Sequence, residues 1–82
     1  MISGISLQNA IPSEVVSLIF DNGFTPARAW REFLQLTQEE CAIKLGISQA
    51  AYSQLETSNN PRKTTRNKLA TALGINPGQL DC

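Results

Sequence analysis

The stretch from Thr37 to Glu56, TQEECAIKLGISQAAYSQLE, constrains the fold more than any other part of the chain. Thr37 with Glu40 three residues later is a capping box, which predicts a helix beginning at Gln38. Apolar Cys41, Ala42 and Leu45 form one buried stripe of that helix, and Gly46 stops it after about two turns. Ile47 is apolar again, and Ser48 offers an N-cap for a second helix from Gln49 to about Glu56. On this second helix Ala51, Tyr52 and Leu55 fall on the inward face. Gln49, Ala50, Ser53 and Gln54 fall on the outward one.

Two short helices joined by so tight a turn make a helix-turn-helix, whose second helix is shaped to enter a DNA major groove. Many small helical domains contain such a hairpin and bind nothing. The outward face argues for binding. A solvated helix face usually carries Lys and Glu, whereas this one carries Gln, Ala, Ser and Gln. Those side chains hydrogen-bond base edges or touch a thymine methyl without any net charge.

The chain has 7 Lys and Arg against 7 Asp and Glu, a formal net charge of zero, which is unusual for a nucleic-acid binder. The distribution offsets the sum. Residues 1–27 contain Glu14 and Asp21 and no cation, while residues 57–70 contain Arg62, Lys63, Arg66 and Lys68 and no anion. Binding depends on where positive charge sits. A basic stretch directly after the second helix favours phosphate contacts over plain solvation, with Asn59 beside it as a further donor and turn former.

Eighty-two residues predict one domain, and 41% hydrophobic content predicts a small core that is marginal without a partner. No run of about 18 apolar residues predicts a membrane span, and no basic leader precedes an apolar segment, so a cytoplasmic protein is expected. Cys41 on the inner stripe and Cys82 at the end suggest neither a disulfide nor a metal site. There is no histidine, no glycine-rich phosphate loop and no catalytic spacing of acids or thiols. An enzyme is therefore not expected, nor any cofactor, metal or small-molecule substrate.

Ahead of the motif, Met1 to Ile11 reads either as a short strand or as a disordered arm. Pro12-Ser13-Glu14 starts a helix that Asn22-Gly23 ends, and Val15, Val16, Leu18, Ile19 and Phe20 cover more than half of its circumference. So apolar a helix must pack on the domain, on a second copy or on another protein. Val15, Val16, Ile19 and Phe20 are the candidate partner surface. Thr25-Pro26 opens the next helix, with Ala27, Trp30, Phe33 and Leu34 as its buried face and Arg28, Arg31 and Glu32 elsewhere. Beyond the motif, Thr57 to Lys63 is a loop, and Thr64 or Thr65 caps a helix with Leu69, Ala70 and Leu73 inward. Gly74 ends it, Ile75 returns to the core, and Asn76-Pro77 opens a last turn that turns Leu80 inward.

This order of helices, with Thr-Gln-Glu, Gly-Ile-Ser, a Gln-rich helix, a basic loop and LATALGINPGQL, resembles the lambda-type repressor and Cro family over residues 25–82. The resemblance implies an all-α, compact five-helix DNA-binding bundle that acts as a two-fold homodimer on a double-stranded operator, here with an extra N-terminal helix in residues 1–24. It implies that Gln38 contacts a phosphate and that Gln49, Ala50 and Gln54 face base pairs, with Ser48 and Ser53 beside them. Arg62 and Lys63 would hold phosphates, and Arg31 would pair with Glu56 as a structural ion pair. The neutral charge and Ala50 depart from that family's pattern.

IPSEVVSLIF followed by TPARAWREFLQLTQEE and GISQAAYSQLE is also similar to the small antitoxins encoded beside RelE/ParE-type toxins. That resemblance implies a repressor of its own operon that also engages a toxin. Two alternatives stand beside it: a stand-alone phage-type or Cro-like regulator, and a helix-turn-helix-shaped interaction module that does not bind DNA.

Overall fold

The computed structural model describes residues 11–58 and 61–80. The strand-or-arm alternatives for the N-terminal segment, the phosphate role of Asn59 and the state of Cys82 lie outside the described residues. Every regular element described is helical: α1 (Ser13–Asn22), α2 (Pro26–Phe33), α3 (Gln38–Leu45), α4 (Gln49–Thr57), α5 (Lys63–Leu73) and a closing 3-10 turn over Pro77–Leu80. The expected five-helix order after residue 25 holds when that turn is counted as its last member.

Local chemistry places the helix ends. The Thr25 hydroxyl accepts from the Arg28 amide, with Pro26 at the first helical position. Thr37 and Glu40 form the complete capping box, with the Thr37 amide donating to Glu40 Oε1 at 2.8 Å and the Glu40 amide to Thr37 Oγ1 at 3.1 Å. Those bonds hold the Glu40 carboxyl below the ordinary glutamate range. Ser48 caps α4 by accepting from the Ala51 amide at 3.1 Å. Gly46, at φ 69°, takes the left-handed conformation that ends α3, and the Ile47 amide then reaches back to the Ala42 carbonyl.

The core gathers residues from all five helices: Val15, Trp30, Cys41, Tyr52, Leu69 and Leu73, closed by Leu80. Val15 is fully buried, which corrects its assignment to a partner surface: its side chain is spent on this domain's own core. Ile19 and Leu18 also pack against that core, whereas Val16 and Phe20 remain outside, Phe20 with 76% of its surface exposed. Two further expectations change. Phe33 and Leu34 are each 37% exposed, and fully buried Ala29 takes the inward position instead. Trp30 draws Phe33 along its edge, with ring centroids 5.9 Å apart at 84°. The α5 helix begins at Lys63 rather than after Thr64 or Thr65, because the backbone turns helical directly after the extended Pro61–Arg62 step. No side chain caps it.

Tyr52 is the largest fully buried side chain, and among the described residues its hydroxyl has no hydrogen-bond partner. Burial pushes its ionisation well above the ordinary tyrosine range, with Cys41 and Glu56 adding in the same direction. Burial likewise raises the Cys41 thiol. Both groups stay protonated in the fold where the unfolded chain would ionise, so their contribution is full below the unfolded pKa and is lost as pH rises beyond it. The chain has one tyrosine, so its absorbance titration reads Tyr52 alone. Above about pH 10, phenolate absorbance should grow only in step with the loss of helical circular dichroism. A phenolate that forms while helicity is unchanged would contradict the burial argument.

Candidate nucleic-acid interface

Tyr52 and Glu56 pin one side of α4 into the domain, and the opposite side is left open. Gln49, Ala50 and Gln54 are exposed and Ser53 is half-buried at the margin. Ser48 is exposed too, its oxygen used in capping and its hydroxyl proton still available to donate. The face therefore offers amide groups, hydroxyls and one methyl, and no charge.

Buried charge lies directly behind it. Glu56 is 1% exposed and takes a two-pronged contact from Arg31: Nε to Oε1 at 2.6 Å and Nη2 to Oε2 at 3.2 Å. Arg31 Nη1 also donates to the Leu36 carbonyl at 2.9 Å, so the guanidinium spans α2, α4 and the chain between α2 and α3. Burial opposes the Arg31 charge, but the hydrogen bonds and field of Glu56 outweigh it and raise its pKa above the usual value. The pairing could not be read from helical periodicity, which placed Arg31 off the buried face of α2.

Gln38 extends the same network outward. Its Nε2 donates to Glu56 Oε2 at 3.1 Å, and its Oε1 accepts from Gln49 Nε2 at 3.4 Å. One Gln38 N–H, one Gln49 N–H and the Gln49 carbonyl oxygen remain for an external partner. Sequence reasoning gave Thr25 only a capping role. Its hydroxyl also donates to the Glu56 carbonyl at 2.6 Å, fixing the far end of α4.

Arg62 and Lys63 stand exposed at the start of α5. With Lys68 they form no ion pair among the described residues. No side chain among the described residues caps α5, so its first amides and the positive end of its dipole add to the charge of Arg62 and Lys63 there. The arrangement sets an uncharged, hydrogen-bonding helix face beside a cationic helix start. No group of three or more potential metal ligands occurs among the described residues, and no helix there is long and apolar enough to cross a membrane.

A family model described as helix-turn-helix matches residues 28–80, well over half of the chain. The chain belongs to that family, of the lambda-repressor-like type, and is a DNA-binding transcription regulator. No curated protein and no solved structure matches it.

Glu56→Gln would leave the Arg31 charge buried with only the part-exposed Glu32 carboxylate, 3.5 Å from Nη2, to balance it. Breaking a buried pair on one side costs about 3–5 kcal/mol, and each kcal/mol lowers the melting temperature of so small a domain by about 4–8 °C. A melting temperature that does not move would demote the pair to a surface contact worth under about 1 kcal/mol.

Proposed function

We propose that the chain is a sequence-specific repressor that binds operator DNA as a two-fold homodimer, with α4 in the major groove. The observation that carries this reading is the uncharged exposed face Gln49, Ala50 and Gln54, with Arg62 lining a groove beside Gln54 and exposed Lys63 following it, neither cation in an ion pair among the described residues. Gln49, steadied by Gln38, keeps a carbonyl and an N–H for a two-point contact to adenine, the base edge that matches a carboxamide. Ala50 offers its methyl to thymine, Gln54 reads a neighbouring pair, and Ser48 and Ser53 flank them. Gln38 donates its remaining N–H to a phosphate. A neutral chain acts on DNA through the placement of its cations rather than their total, and a DNA target puts its place of action in the cytoplasm.

Gln49→Ala and Gln54→Ala should each weaken cognate binding by about 1–3 kcal/mol and relax discrimination at one base pair. Binding by both variants at wild-type strength, in titrations at one fixed salt concentration, refutes base reading by α4. Neutralising Arg62 or Lys63 should weaken cognate and random DNA alike and flatten the plot of log affinity against log salt by about 0.9 per lost contact. An unchanged slope would make both residues ordinary surface.

The outer face of α1 supports a second role, as the antitoxin of a RelE/ParE-type toxin that is produced from the same operon. Phe20 and Val16 are exposed there, and the helix carries Glu14 and Asp21 with no cation, a surface suited to a basic protein. Phe20→Glu leaves the core untouched and should abolish capture of a co-expressed small basic toxin while retaining the melting temperature and DNA affinity. Capture that persists through this substitution removes α1 from the interface. The absence of any such gene beside this one would favour the stand-alone regulator.

A further inference from the structure

Beside the recognition helix lies a groove of about 620 Å³ between the end of α3, α4 and the start of α5. Leu45, Ile47, Ala51, Leu55 and Pro61 form its apolar part. Arg62 and Lys68 line it as cations, with Ser58 and Thr65 supplying hydroxyls, and no acidic side chain among the lining residues answers either charge. Arg62 and Lys68 are six residues apart, roughly 9 Å along a helix axis, and neither has an ion pair among the described residues. DNA phosphates account for the cations but not for the apolar floor, since a phosphodiester backbone brings nothing apolar to cover it. The volume falls within the range of about 300–1,000 Å³ typical of small-molecule sites.

We propose that this groove binds a small amphiphilic anion, a carboxylate or phosphate head on a short aliphatic tail, and that the ligand acts as an inducer. The tail covers Leu45, Ile47, Ala51 and Leu55, and the head lies between Arg62 and Lys68. Gln54 and Arg62 line the groove and also belong to the DNA face, so ligand and operator exclude one another. The exclusion rests on the DNA reading above; the binding itself does not.

Calorimetry and amide shifts on the full chain, with no DNA present, test the site with two probes: decanoate and decyl phosphate. Acetate carries the head alone, and decyltrimethylammonium carries the same tail on the opposite charge. Saturable one-to-one binding of decanoate or decyl phosphate is expected, with shifts centred on Leu45, Leu55 and Thr65 and none for either control. Whichever anion binds more tightly identifies the head group. Lys68→Gln should weaken binding about tenfold, the effect of removing one charge-assisted hydrogen bond. Thr65→Leu should fill the groove and abolish binding while operator affinity stays as it was. In the operator titration, an anion at ten times its own Kd should weaken apparent DNA affinity about elevenfold, as exclusive competition requires. Absence of saturable binding, equal binding of the cationic amphiphile, or unchanged binding in both variants overturns the site. Tight anion binding that leaves operator affinity unchanged overturns the inducer role. A dimer that Thr65→Leu dissociates, and that neither anion displaces, shows a second copy in the groove and overturns the proposal as well.

Discussion

The contact between Arg31 and Glu56 is the interaction on which the working geometry depends. A carboxylate with 1% of its surface exposed is stable only when its oxygens are occupied, and here Arg31 takes both while Gln38 shares one. The backbone of the same residue is held by the Thr25 hydroxyl. Glu56 thereby ties α2 to α4 by side chain and main chain together, and through Gln38 it also holds α3. Apolar packing alone would set the distance between these helices but leave their rotation loosely defined. A two-pronged ionic contact fixes rotation because its geometry tolerates little twist.

What the sequence revealed was the chemistry acting between close neighbours. Thr37 and Glu40, Ser48, Gly46 and the Thr25-Pro26 pair state where helices begin and end, because each motif satisfies backbone groups only three or four residues away. Burial was less legible, because it depends on what packs from elsewhere. Periodicity assigned Phe33 and Leu34 to the interior of α2, but Ala29 and Arg31 are the buried positions instead, Arg31 held against Glu56 of α4. The end of α2 carried no glycine signal: Gln35 itself adopts the left-handed conformation, at φ 60°, and the Leu36 amide closes the turn onto the Arg31 carbonyl. Val15 belongs to the core for the same nonlocal reason, and the apolar run of α1 could not show which of its sides would be covered. On α4 the outward residues were readable because the buried side is marked by a single large aromatic, Tyr52.

A regulator with no net charge separates two tasks that a strongly basic one merges. Random DNA attracts a basic protein everywhere along its length, so discrimination must overcome a large uniform background. Here anions on α1 offset cations at the start of α5, while α4 between them in sequence carries no charge except the buried Glu56. With α4 in the groove as proposed, affinity for an arbitrary duplex would be correspondingly modest, and the amide groups of α4 would contribute a larger fraction of cognate binding.

Three helices of this chain end on a left-handed glycine. Just past it the amides of Ile47 and Ile75 reach back five residues to the carbonyls of Ala42 and Ala70, and that of Phe24 six residues to Leu18. Such a joint has no slack. An added residue at the one between α3 and α4 would turn every later position by about 100° around the helix, carrying Tyr52 outward and the glutamines inward. The end of α4 is made differently, at an extended Ser58 whose amide reaches back three residues to the Leu55 carbonyl. Over evolutionary time, changes of length should therefore be tolerated after Ser58 rather than between α3 and α4, where they would turn the exposed glutamines away from the surface.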